Sequence, residues 1–385
     1  MLKRDRLVAA LEARIPDFLT FESERASQFG ALADAFDQLC CEGAKRVIPI
    51  LQAFEAPGSL PSAEWDGTGL LRFAHQWNDH AAARVWAYEI LRDRPTFAVD
   101  GSQIEPDSRF SLPVGLVQAG WFENRHRPTG DSYTKDVELR VLTPSELQED
   151  EGGPPKRKLD LARFELELSI LRRYLASSDE KNRIAFFDGS LIASFAEKRH
   201  QDAYARRYVE LLTQLLRETE QTRVPLIAYV DTSYAHDVVA MLANWRGSTI
   251  PRGLSDGTLL KGRLNWGDRT PVLLCAREGI LSAYGDWARR IGFCYLQANQ
   301  DAPPVRLEFP LWLYEEGLLP EILDVVRAET IVGGGYPYVL ATADATAVLT
   351  LADREAFYRT IQTFLAQREF PLDFSKKALS KRRRR

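Results

Sequence analysis

The chain has 385 residues, enough for one large domain or two smaller ones. Hydrophobic residues make up 45% and charged residues 27%, the balance of a soluble protein with a sizeable core. No uninterrupted apolar stretch approaches the roughly 18–20 residues that span a bilayer, which argues against a membrane protein. The start, MLKRDRLVAALEARIPDF, has no apolar signal-peptide core, and Cys40, Cys41, Cys275 and Cys294 form neither a CxxC pair nor a disulfide framework. The expectation is a reduced, cytoplasmic protein. The net charge of −4 hides an asymmetry: the last ten residues, KKALSKRRRR, hold seven basic groups, so the rest of the chain stands at −11. Such a body is no general nucleic-acid surface. Any grip on a polyanion must come from local patches, metal ions, the tail or a partner.

In chain order, residues 1–92 read as a helical region. Apolar side chains recur at three- and four-residue intervals in Ser27–Phe54 and Gly69–Leu91, separated by the breaker APGSLPS. From Thr96 the pattern becomes strand-like: TFAVDGSQ, SLPVGLVQAGWFE and the alternating DVELRVLTP. The loop QEDEGGPPKRK leads into a helix, LDLARFELELSILRRYLAS, with Leu161, Phe164, Leu168, Leu171 and Leu175 on one face. NRIAFFDGSLI is a buried strand, Lys198–Thr222 an amphipathic helix and VPLIAYVDTS another strand. TPVLLC, GFCYLQA and VRLEFPLWL supply further strands. Three consecutive strands followed by strand–helix alternation predict an α/β fold, a mixed sheet with flanking helices, over residues 93–372. A basic tail, 373–385, follows; it either contacts a DNA backbone or is a solubilising end.

Asp100 and Asp188 each end a buried run and are followed by Gly-Ser. A strand end presents functional groups, and glycine permits close approach; a plain Asp-Gly turn is the bland alternative. Between them, Glu167 shares a stripe with Phe164, Leu171 and Tyr174 and so faces the sheet, while Glu165 lies nearer the helix edge. A buried carboxylate needs a partner, either a divalent cation or an arginine such as Arg163. Acids from the first strand, the first helix and the fourth strand are the arrangement of ribonuclease-H-like nucleases. Hard Mg²⁺ or Mn²⁺ ions about 3.5–4 Å apart on such oxygen ligands serve phosphodiester cleavage. Asp231, after another apolar run, is a further candidate or a turn. His75, His80, His126, His200 and His236 form no motif, and His236 with Asp237 reads as a surface pair on a helix. Neither GxxxxGK[ST] nor GxSxG occurs, so ATP and serine hydrolysis lack support.

In order along the chain, VDGSQ (99–103), the FELEL helix, FFDGSL (186–191), SDGTLLKGRLNWGDRTPVLL (255–274) and GGGYPYVLATADATAVL (333–349) resemble the NurA nuclease family. The resemblance implies a ribonuclease-H-like core and a manganese-dependent DNA exo- and endonuclease active in end processing or defence. It also implies a homodimer and a HerA-type hexameric ATPase partner. Carried over, Asp100, Asp188 and Glu167 (or Glu165) match the family's metal-binding acids. After GYPY the family usually has Ala-His, where this chain has Ala343-Asp344. Asp344 can ligate a metal but cannot be a cationic phosphate partner; otherwise it is a helix N-terminal acid facing solvent. Tyr336 and Tyr338 are candidates for DNA contact or for core packing, and Arg382 and Arg383 for contact through the tail. The alternative reading is a non-catalytic structural subunit that docks on the ATPase.

Overall fold

The computed structural model describes residues 3–107, 112–128, 130, 132–148, 156–177, 182–195, 202–250, 253–300 and 302–368. Its elements in chain order are α1 (Arg4–Glu12), α2 (Ile15–Glu42), α3 (Ala44–Leu51), β1 (Gly58–Pro61), α4 (His80–Leu91), β2 (Thr96–Ile104), β3 (Gly115–Asn124), β4 (Tyr133–Leu142) and α5 (Pro144–Leu147). Next come α6 (Lys156–Ala176), β5 (Ile184–Asp188), α7 (Ala203–Thr222), β6 (Leu226–Val230), α8 (Asp237–Arg246), α9 (Asp256–Leu260) and β7 (Leu273–Ala276). The last are β8 (Ile291–Leu296), β9 (Val305–Pro310), α10 (Trp312–Glu315), α11 (Leu319–Val332), α12 (Tyr338–Ala347) and α13 (Leu351–Ala366). They fall into two units, Met1–His75 with Val230–Leu311, and Gln76–Tyr229 with Trp312–Arg385.

The first unit joins the N-terminal helices to an antiparallel sheet ordered β1-β7-β8-β9. The predicted helix over 27–54 is broken at Gly43, whose φ of +74° no helical residue adopts. Two further expectations need correction. APGSLPS is not merely a breaker: it contains β1, which sits at the edge of the sheet, where Pro61 is tolerated. The helix expected from Gly69 starts only at His80, in the second unit, where Asp79 accepts from the Ala82 amide at 2.8 Å. Nor are His236 and Asp237 a surface pair. His236 bonds the Leu254 carbonyl at 2.7 Å through Nδ1, whereas Asp237 is 3% exposed and pairs with Arg306 at 2.7 Å. Arg306, equally buried, also bonds Glu308 at 2.7 Å, and Asp256 accepts from the Val238 and Val239 amides and from the Tyr295 hydroxyl. A buried charge needs such partners.

The second unit has the order β4-β3-β2-β5-β6. Strands β2, β3 and β4 are antiparallel neighbours, and β5 and β6 run parallel to β2. This is the ribonuclease-H-like arrangement expected from the sequence. The central β5, IAFFD, is buried up to its last residue, Asp188, as a strand covered on both faces must be. Helix α6 packs on β2 and β3, burying Leu159, Ala162, Phe164, Leu168 and Leu171. On the opposite face α12 crosses β2 and β3.

Gly120 of β3 allows this crossing. A Cβ there would lie 2.5 Å from the Ala347 amide nitrogen and 2.7 Å from the Thr346 carbonyl carbon. Both neighbours are backbone and cannot rotate away. Gly120→Ala is therefore expected to cost about 1–3 kcal/mol by overpacking, read as a lower denaturant midpoint.

Candidate active site

Val99 of β2 pairs with Phe187 of β5, so Asp100 and Asp188 hold equivalent places on neighbouring parallel strands about 4.8 Å apart. Asp100 lies opposite Gly120 and shares its face, the side covered by α12. Its carboxylate accepts from the Gly101 amide at 2.7 Å, and Asp344 of α12 lies near enough to raise its pKa. Asp344 thus stands in the second half of α12, exposed but engaged, and is not the N-terminal helix acid of the bland reading.

Because successive residues alternate faces, Gly101 points the other way, toward α6. There Glu167 Oε1 occupies the space of a side chain: a Cβ on Gly101 would meet it at 1.9 Å. The glycine is a window in the sheet through which an acid on one face comes within reach of an acid on the other. The second Asp-Gly differs. Gly189 has φ +128°, a backbone that a side chain would strain, and its amide donates to the Tyr229 carbonyl at 3.1 Å.

Burial pushes the Asp100 carboxyl up to about 6; the Gly101 amide opposes the shift, and the charges of Asp188 and Asp344 add to it. Burial likewise pushes Glu167 up to about 7; Arg163 opposes, and Asp100 and Asp188 add. Asp100, Asp188, Glu167 and Asp344 therefore form one electrostatic cluster. Arg163 is its internal counter-ion, 2.6 Å from Glu167 Oε1 and within 3.4 Å of the Gly101 carbonyl. Glu165 stands apart, held by Arg207 at 2.8 Å.

The all-oxygen donor set suits a hard divalent cation. Among the described residues, however, no three His, Cys, Asp or Glu side chains converge tightly enough to hold a metal ion as placed. Glu167 is turned onto Arg163 instead. Arg163→Met is expected to destabilise the metal-free protein by roughly 1–3 kcal/mol, because it leaves a buried carboxylate unpaired. Added Mn²⁺ should then raise the thermal midpoint of the variant more than that of the parent, read by differential scanning fluorimetry.

The family model for the NurA domain matches residues 94–349, two thirds of the chain. The chain belongs to the NurA family. A crystal structure of NurA with manganese is 11% identical, with a TM-score of 0.44, over 72% of this chain and 89% of that one. A structure of NurA bound to dAMP and manganese is 10% identical, with a TM-score of 0.37, over 67% and 85%. No curated protein matches the sequence.

In this NurA-family chain the remaining candidates are scattered. Tyr336 packs edge-on against Tyr229 at 5.1 Å, and Tyr338, at the start of α12, lies against Phe122 at 5.8 Å. Asp344 lies six positions beyond Tyr338, about 9 Å along a helix, so Tyr338 is displaced from it. Asp231 is exposed and accepts from the Thr232 hydroxyl at 3.3 Å. His126 bonds Thr96 at 3.0 Å and lies 3.3 Å from the buried Glu329, a packing role. His75 lies against Phe73, and His80 opens α4. His200, Arg382 and Arg383 lie outside the described residues. Among the described residues no helix is long and apolar enough to cross a membrane. Sequence reasoning missed Gly120 and the window role of Gly101. The doubled Asp-Gly was the one local signal for the latter.

Proposed function

We propose that the chain is a divalent-metal-dependent deoxyribonuclease that hydrolyses phosphodiester bonds in DNA. One observation carries this reading. A ribonuclease-H-like sheet sets Asp100 and Asp188 at equivalent places on neighbouring strands, with Asp344 of α12 on the Asp100 side and Glu167 of α6 filling the Gly101 window. Such crowding of carboxylates is unfavourable unless a cation offsets it. Asp100, Glu167 and Asp188 would hold Mn²⁺ or Mg²⁺, with Asp344 beside them. When bound, the metal would activate water and stabilise the leaving oxygen of the scissile phosphate. The protein's part is to fix Asp100 and Asp188 on neighbouring strands and to hold Glu167 beside Arg163. The resemblance adds a homodimer and a HerA-type hexameric ATPase that feeds DNA to the site, which suits a chain whose acidic body repels DNA at long range. The basic tail would add a salt-dependent contact.

A second reading has its own observation. Asp344 stands where the family usually has histidine, and it sets a further negative charge beside Asp100 where a cation-capable group would help bind phosphate. On that reading the chain is a structural subunit docked on the ATPase. Incubating the purified protein with linear DNA and Mn²⁺, with and without the ATPase, separates the two. Cleavage supports the nuclease; intact DNA in both cases supports the subunit.

A further inference from the structure

Strand β4 is the outer strand of its sheet, paired on one side with β3. The pairing runs through all ten residues without a bulge, and the strand contains no proline. Proteins usually blunt a long edge with one of these devices. Here the face on the α12 side is instead an apolar row: Tyr133 is 60% exposed, Val137 39%, Leu139 60% and Val141 40%. Lys135 is its single charge. The row continues onto α12. Phe122 contacts both Tyr133 and Tyr338, and Gly120, the partner of Val137, meets the end of that helix, next to the exposed Val348.

We propose that this edge joins two copies of the chain, β4 to β4 and antiparallel, about a two-fold axis normal to the sheet, with Leu139 opposite its own copy. The inference deepens the homodimer reading above and rests on it. The strand's own sequence argues for a second copy as the occupant. With Leu139 at the centre, Val137 faces Val141 of the other copy, so the apolar rows merge. On the opposite face Glu138 meets Arg140 and Arg140 meets Glu138. Neighbouring registers fail this test. Centring on Val137 sets Asp136 against Glu138, centring on Glu138 sets that acid against itself, and centring on Arg140 does the same with arginine. Like charges directly opposite destabilise a sheet pair. Within the chain Glu138 bonds Arg173, and Arg140 bonds Glu146 at 2.9 Å. These pairs are on the surface, so contacts across the axis extend the network.

Analytical ultracentrifugation at micromolar concentration tests the proposal. The parent protein should sediment as a dimer and Leu139→Lys as a folded monomer, with an unchanged circular dichroism spectrum. Glu138→Arg and Arg140→Glu should each weaken the dimer at least tenfold, and the double reversal should restore it. In a Cys40→Ser, Cys41→Ser background, Leu139→Cys should cross-link to itself with oxidised glutathione as electron acceptor. A parent that is dimeric but insensitive to all these changes would overturn this edge and leave the homodimer standing. A monomeric parent would overturn both, without bearing on DNA cleavage.

Discussion

Asp188→Ala is expected to lower Mn²⁺-dependent DNA cleavage by roughly a thousand-fold or more, the scale of losing a group that organises transition-state charge. The same change should raise the thermal midpoint of the metal-free protein. Asp188 is exposed at the end of β5, so little packing is lost, while its charge is one of the causes that push Asp100 up. Relief of that repulsion should move the midpoint by a few degrees at most in a unit of this size. Asp100→Asn should behave alike in cleavage. Activity and stability then move in opposite directions, which a turn-forming aspartate cannot produce: losing a turn residue lowers stability and leaves chemistry alone. Undiminished cleavage by both variants would sink the assignment of these acids.

Gly101→Ala is expected to be nearly as damaging to catalysis, although alanine carries no charge and glycine no function of its own. The new methyl would meet Glu167 Oε1 at 1.9 Å and Arg163 Cγ at 2.8 Å, so the glutamate must leave the window. A displaced Glu167 takes its ion pair with it, and overpacking adds about 1–3 kcal/mol of instability. Isothermal titration with Mn²⁺ should show affinity lowered at least tenfold. The double variant Gly101→Ala, Glu167→Ala should regain stability relative to the single one, but not activity. Wild-type metal affinity in Gly101→Ala would show that Glu167 does not act through this opening.

Much of this site was legible from residue types and order. Asp100 and Asp188 were marked by two apolar runs ending alike, and the stripe of α6 put Glu167 toward the sheet with Glu165 as its alternative, which the ion pair of Glu165 with Arg207 sets apart. The strand order followed from three strands before the first long helix. What escaped has a common cause. Asp237, Arg306 and Glu308 are buried, yet residue type assigns charges to the surface, and only tertiary pairing reverses that. Gly120 and Ala347 touch across most of the unit's length in sequence, so no window of neighbours holds the signal. Asp344 was placed by motif, but its approach to Asp100 depends on α12 crossing the sheet, which the glycine opposite Asp100 permits.

The second unit is interrupted: residues 230–311 build the other unit before the chain returns with α11 and α12. Asp100, Glu167 and Asp188 leave the ribosome before that excursion and Asp344 after it. At translation rates of 5–20 residues per second the delay is on the order of ten seconds. Throughout it the sheet lacks the helix that covers Asp100, and the acid cluster is one member short. On the function proposed above, the site stays incomplete on the nascent chain until α12 has emerged. Truncation before α12 is therefore expected to yield a product without the proposed cleavage activity, read with linear DNA and Mn²⁺.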